Sequence, residues 1–170
     1  MSDALSVPPA AIAPRELRSF ASHFATGVAV VTTAHPDGVL HGLTLTAVTS
    51  LSLEPPMLLI CLDRTSNTLR AVLSSGHFAV HLLSRGQQEI SRIFASKQES
   101  KFATVPHRPG LRGSPMIADV VASAECRLTD ACPGGDHTIV IGIVEKVHVS
   151  GGEPLLYHRG AYAVLEREVA

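Results

Sequence analysis

Asp136 and His137 stand side by side behind Gly134 and Gly135, and Thr138-Ile139-Val140-Ile141-Gly142-Ile143-Val144 follows without a break. A double-glycine turn ahead of a β-branched run predicts a strand that begins at the rim of a sheet. Its first side chain, His137, is then within reach of a ligand. Imidazole can hydrogen-bond an amide or a phosphate near neutral pH. A strand-start histidine satisfied by a backbone carbonyl has the same local sequence, and these residues alone do not separate the two readings.

A second stretch, residues 42–56, carries Thr44, Thr46, Thr49, Ser50 and Ser52 along a strand and the bend after it, closed by Pro55-Pro56. Gly42 and Ala47 leave room for something flat to approach the backbone. An isoalloxazine ring needs such a wall: backbone donors, small hydroxyl side chains and few charges. A Thr-rich strand chosen for β propensity would look the same. A third stretch, Asp63-Arg64-Thr65-Ser66-Asn67-Thr68, ends a strand with a cation and opens a helix with hydrogen-bonding residues. Helix starts bind phosphate through free N–H groups and the dipole, although an ordinary Ser cap with a solvated Arg fits equally. Arg92, Lys97 and Lys101 could close over a phosphate, with Phe102 covering a ring. Such charges also make a plain solvated helix face.

Other chemistries find little support. His77 and His81 are four apart but flank Phe78-Ala79-Val80, a strand pattern, so their spacing does not converge them. The remaining histidines are scattered, and no metal site is expected. Gly-x-Ser-x-Gly, Gly-x-Gly-x-x-Gly and Walker-type phosphate loops are all missing. A net charge of −1 argues against a general nucleic-acid binder.

The elements that must hold these residues follow from periodicity. Leu17, Phe20, Ala21 and Phe24 share one helical face, with Pro14 in the first turn and Gly27 at the end. Residues 28–33 and 39–46 read as a hairpin about His35-Pro36-Asp37-Gly38, and residues 57–62 as a third strand. Ser66 caps a helix closed by Gly76. Residues 77–83 form a fourth strand, and Ser84-Arg85-Gly86-Gln87 reads as a capping box opening a helix to about Ser96. Residues 100–115 are rich in Pro and Gly and read as a long loop. Ala122, Ala124, Cys126 and Leu128 alternate with Ser123, Glu125, Arg127 and Thr129, predicting a half-buried strand whose second set faces water. Residues 138–149 give the longest strand, and residues 155–158 and 161–165 complete the count. Many strands with few helices predict a β-barrel with helical decoration.

At 170 residues one domain is expected over residues 14–168, behind a loose tail at residues 1–13 that holds Pro8 and Pro9. Aromatic residues are only 4% with no Trp, so β-branched aliphatics must build the core. Hydrophobic residues reach 45%, yet no apolar run is long enough for a membrane span. Part of that surface is expected at a subunit interface. Cys61, Cys126 and Cys132 are odd in number and read as reduced thiols. With no secretion-signal pattern at the start, a cytoplasmic protein is expected.

Taken in order, several stretches resemble the short-chain flavin reductases, the NAD(P)H:flavin oxidoreductase components of two-component monooxygenases. They are Phe24-Ala25-Thr26-Gly27-Val28-Ala29-Val30-Val31-Thr32-Thr33, residues 42–56, Phe78-Ala79-Val80-His81-Leu82-Leu83, Glu125-Cys126, Gly135-Asp136-His137-Thr138-Ile139 and Pro154-Leu155-Leu156-Tyr157-His158-Arg159-Gly160. The resemblance covers about residues 15–165. It implies a mainly β fold, a split barrel of Greek-key type with a few short peripheral helices. It also implies a homodimer with FMN or FAD near the subunit interface. By position, Thr44, Leu45, Thr46 and Ala47 would line the ring and ribityl chain, and Ser50, Leu51 and Ser52 would continue that wall. Cys61, Leu62 and Asp63 would lie beside the ring. Asn67 and Thr68, with Lys97 and Phe102, would hold the phosphate end. His137 would contact the nicotinamide of NADH or NADPH, with Tyr157 and Arg159 nearby. Where many relatives carry Asn-Ser, this chain has Thr46-Ala47, which leaves the choice of flavin open.

The function so implied is hydride transfer from NAD(P)H to flavin, with the reduced flavin leaving for a separate monooxygenase or halogenase. The protein would orient two stacked rings and supply backbone donors near residues 50–52. A flavin-binding carrier or sensor without turnover, and a cofactor-free barrel that binds a partner, are the alternatives.

Overall fold

The computed structural model describes residues 12–98 and 100–166. The expected tail over residues 1–13 lies almost wholly outside them. The chain opens with helix α1 (Pro14–Ala21), in which Pro14 takes the first turn and the Glu16 carboxylate accepts the Ala13 N–H. The helix stops at Ala21, short of the expected Gly27, and Leu17, Phe20 and Phe24 remain exposed. The apolar face is real, but among the described residues nothing covers it.

Strand β1 (Thr26–Gly27) leads into β2 (Ala29–Ala34) and β3 (Leu40–Leu45), the expected hairpin. Next comes β4 (Val48–Leu53), then β5 (Pro56–Asp63). The hydroxyl-rich stretch is therefore two strands joined at Thr46-Ala47, not one strand and a bend. Helix α2 (Asn67–Ser75) follows. Ser66 Oγ accepts the N–H groups of Thr68 and Leu69, and Gly76 at φ 72° closes the helix in the left-handed conformation glycine favours.

Strand β6 (His77–Leu82) precedes α3 (Gln88–Ala95). Here the expected capping box is only half formed. Gln87 Oε1 accepts the Ser84 N–H at 3.0 Å, but Gln87 itself occupies the cap and no side chain caps the helix. The Ser84–Gln87 segment is a turn, and its Gln87 amide reaches Ala118 O at 2.8 Å. The loop at residues 100–115 holds a 3-10 turn (Lys101–Ala103) and β7 (His107–Pro109), which pairs with β8 (Pro115–Ile117). Strands β9 (Ala122–Gly134) and β10 (His137–Val149) form the longest hairpin, and β11 (Leu156–His158) and β12 (Ala161–Ala163) end the described chain.

Seven strands make the main sheet in the order β3-β2-β6-β9-β10-β5-β4, all antiparallel neighbours. The edge strands β3 and β4 are consecutive in the chain yet unpaired, so the sheet is a barrel split along one seam. Inside lie Val31, Leu45, Ile60, Leu62, Phe78, Val80 and Val140, plugged by Leu69 and Val72 of α2. Gly142 has a packing reason. A Cβ there would sit 2.7 Å from the Phe78 ring. A second core, with Phe94, Val105, Ile117 and Leu155, packs α3 and the loop against the outer face of β2.

Alternation along β9 fails at one residue. Glu125 is buried beneath the loop, where its carboxylate accepts the Leu111 N–H. That loop covers the face expected to meet water. Arg112 adds a two-pronged bond to Glu145 on β10, at 2.6 and 2.7 Å.

Candidate active site

Two grooves lie along the chain that runs from β3 into β5. The first holds about 540 Å³ and is mostly apolar, walled by Ala29, Val80, Leu82, Ala124 and Val144, with Thr46, Thr49, Ser50 and Ser123 among its hydroxyls. Thr26 closes one end, and it pairs with Tyr157 of β11. The second holds about 650 Å³ between β3 and the start of α2, and is polar and basic. Asn67, Thr68, Lys97 and Lys101 line it, with Thr65, Ser66 and His41. The structure thus brings Asn67, Thr68 and Lys97 together as expected, and Thr46 with Ser50, but in separate grooves.

His137 opens β10 at the rim. Its Cα partner is Asp63 at the end of β5. His137 Nδ1 lies 2.7 Å from Asp136 Oδ1, and that bond holds the Asp136 carboxyl below its ordinary range. An ionised carboxylate only accepts, so Nδ1 carries the proton. In the neutral form of the ring Nε2 is then an acceptor. Arg64 fastens the turn from beneath, since its N–H bonds Asp136 O at 3.1 Å. Asp63 accepts both the N–H and the hydroxyl of Thr65 at 2.6 Å, which lowers its own pKa. The His137 turn and the mouth of the basic groove are therefore one hydrogen-bonded unit.

The remaining expected residues divide by what their side chains touch. Thr44 Oγ1 donates to Ser91 O at 2.7 Å and so fixes α3 to the barrel. Leu45 and Leu62 are buried core residues that line neither groove. Ala47 is exposed, and its carbonyl accepts the Cys61 N–H at 3.1 Å. Leu51 is exposed on edge strand β4, and Ser52 is half-buried there. Cys61 is half-buried, and burial pushes its thiol pKa up. Phe102 packs edge-on against Phe94 at 5.0 Å and His107 at 5.1 Å, within the second core and outside both groove walls. Arg92 pairs with Glu89 and lies 5.4 Å over the Tyr162 ring, also away from the basic groove. The opening expected at Gly42 is filled from within. A Cβ there would lie 2.7 Å from the Phe94 ring.

Tyr157 and Arg159 are not beside His137 in one chain. Tyr157 pairs with Thr26, ahead of β2. From the start of β2 the ladder runs through Leu82 and Ala122 to Val149, the opposite end of β10 from His137. Sequence proximity to a motif gave no signal of that separation. His41 and Thr26 were missed as site residues. Thr26 lay inside a stretch already matched to the family, whereas His41 had no local signal.

His77 and His81 do not converge. His77 Nδ1 bonds Ser114 Oγ at 2.8 Å. His81 is wholly buried, bonds Val30 O at 3.1 Å, and burial pushes its pKa down to about 4. Among the described residues no group of three His, Cys, Asp or Glu could hold a metal ion. No described helix is long and apolar enough to cross a membrane.

The arrangement fits a flavin nucleotide on its donor set: a flat apolar slot with hydroxyls, a basic groove for phosphate, and an acceptor imidazole at the rim. Comparisons with known proteins agree. The family model for the flavin reductase like domain matches residues 21–166. A flavin reductase (NADH) of Kitasatospora aureofaciens is 47% identical over 146 residues, covering 81% of this chain and 74% of that one. The flavin-dependent monooxygenase reductase subunit HsaB of Mycobacterium tuberculosis is 40% identical over 162 residues, covering 94% and 86%. A relative from Rhizobium meliloti is 43% identical over 149 residues, but this chain spans only 48% of its length. Among solved structures, the Streptomyces globisporus NADH:FAD oxidoreductase SgcE6, in complex with NAD and FAD fragments, superposes with TM-score 0.87 at 32% identity, covering 95% of this chain and 100% of that one. With its split barrel, its two grooves and its Asp-His rim, the chain belongs to the flavin reductase-like domain family.

Proposed function

We propose that the chain reduces FMN or FAD with NADH or NADPH, works as a homodimer in the cytoplasm, and releases the reduced flavin to a separate monooxygenase or halogenase. The observation that carries this reading is the pair of grooves on one continuous stretch of chain, apolar with hydroxyls at one end and basic at the other. The basic groove suits the phosphate end of a flavin and the apolar slot suits its ring.

When bound, the flavin supplies hydride acceptance at its N5. The chain's own part is to bind, orient and exclude water. Thr46 and Ser50 offer hydroxyls at the wall of the slot, while Val80, Leu82 and Val144 keep it dry. His137 Nε2, an acceptor in the neutral ring, can take an N–H of the nicotinamide carboxamide and set that ring's facing. No acid–base dyad is required of the protein, because hydride moves directly between two rings held in contact.

A second copy is supported by the surface left uncovered. Leu17 and Phe20 on α1, Phe24 just after it, Leu51 and Leu53 on β4, and Val147 and Val149 on β10 are exposed. Isolated exposed apolar residues are ordinary, whereas this many, with Val147 and Val149 lining the open apolar groove, support an interface. A partner copy also gives Tyr157 and Arg159 a route to a His137 that their own chain holds apart. A cytoplasmic setting is supported by the reduced-nicotinamide chemistry and by three free thiols. Steady loss of reduced nicotinamide, in the presence of free flavin and catalytic protein, tests the function. Stoichiometric flavin binding without turnover would instead identify a carrier.

A further inference from the structure

His41 occupies the basic groove, and its place there gives it a task. It pairs on β3 with Thr33 of β2, whose hydroxyl bonds His77 O and meets Ser75 of α2. Cross-strand partners share a face, so His41 points to the α2 side and into the cavity lined by Asn67, Thr68, Lys97 and Lys101. Lys101 Nζ donates to Gly42 O at 3.1 Å and to Phe94 O at 3.0 Å, which leaves one of its three N–H groups for a ligand. Lys97 has no carboxylate partner among the described residues, and no described residue lining the cavity is acidic.

The charges that face His41 come from three directions. The β2–β3 turn brings His35 and Asp37, α2 brings Arg70, and the segment after α3 brings Lys101. Burial, His35, Arg70 and Lys101 all oppose a proton on His41, and Asp37 alone favours it. The net effect is a lowered pKa, with burial the largest cause. An anion among these groups reverses that balance, because it turns a crowd of like charges into a set of counter-charges.

We propose that the phosphate end of a flavin enters this groove together with one solvent proton, which His41 takes up on its ring and holds against the anion. The proposal rests on the flavin-reductase reading and adds a proton to its binding step. A histidine whose pKa rises on binding strengthens binding as the pH falls.

The test compares the wild-type chain with His41→Gln, using FAD, FMN and riboflavin across about pH 6 to 8.5, with dissociation constants read by flavin fluorescence. FAD is the decisive ligand, because the phosphate of FMN itself titrates near pH 6, at about the value for any phosphate monoester. For FAD, the wild type should bind roughly five- to tenfold tighter than the variant at about pH 6, falling to parity at about pH 8.5. Riboflavin, which lacks phosphate, should show parity throughout, and this parity also reports that the variant is folded. Calorimetry of the wild type in two buffers of different ionisation enthalpy should show net proton uptake with FAD near neutral pH. Parallel FAD curves, or no proton uptake, would overturn the proposal while leaving flavin binding intact. Failure of the wild type to bind any flavin would overturn it together with the function beneath it.

Discussion

The two grooves are made of opposite materials, and only one of them is finished by this chain. The basic groove has its lysines, its hydroxyls and its helix cap in place, tied to the His137 turn through Asp63, Arg64 and Thr65. The apolar groove has walls but an incomplete cover, since Leu82, Val147 and Val149 beside it are exposed. On the proposed homodimer, the phosphate end should therefore be held by one chain alone, and the second copy should complete the site for the ring and nicotinamide.

Substitutions on each side should separate the two. Leu82→Asp places a carboxylate in the apolar groove, at a side chain 40% exposed in the single chain. An unpaired charge at the centre of an interface costs about 3–5 kcal/mol. The variant should run as a monomer in size-exclusion chromatography, and its flavin turnover should fall at least about 100-fold. A dimer with normal turnover would remove the distinction between the grooves.

His137→Ala deletes the acceptor at the rim. The KM for NAD(P)H should rise roughly tenfold, as for the loss of one well-placed hydrogen bond, while the flavin Kd stays the same. Unchanged nicotinamide kinetics would detach His137 from the site.

Lys97→Met removes one exposed cation from the basic groove. FMN affinity should weaken by a few-fold, on the scale of about 0.5–1 kcal/mol for a solvent-exposed charge. Added salt should shrink the effect, and riboflavin affinity should not change. Equal losses for both flavins would place the lysine's effect outside phosphate binding.

The smallest effect is on acid stability. Asp63 and Asp136 both titrate below the ordinary carboxylate value of 3.8 in the folded chain. Their contribution is therefore present above that value and fades as the pH falls through the lower folded one. Asp63→Asn should lower the urea midpoint slightly at neutrality and flatten its decline below about pH 4, so that the two chains converge in acid. A decline as steep as in the wild type would show that the Thr65 bonds carry none of it.

The parts legible in the sequence were local. Ser66 and Gly76 bracket α2 as their chemistry dictates, because a cap and a left-handed glycine need no distant partner. The Asp-His turn was legible for the same reason. Strand β4 was not, because an edge strand exposed along most of its length lacks the apolar alternation that marks a strand. Glu125 misled because a loop distant in sequence returns to cover its face of β9. Gly42 was correctly read as a close approach, and the ring that its missing Cβ makes room for is that of Phe94. The separation of Tyr157 from His137 was hidden most deeply. It depends on the order of seven strands, which no local pattern encodes.

The most direct measurement is anaerobic mixing of the purified protein with excess NADH and FAD or FMN, following the near-ultraviolet band of the nicotinamide and the yellow band of the flavin together. Both bands should bleach in equal molar amounts over many turnovers per chain. Persistence of the yellow band, with either nicotinamide, would contradict a protein built to pass hydride between two rings.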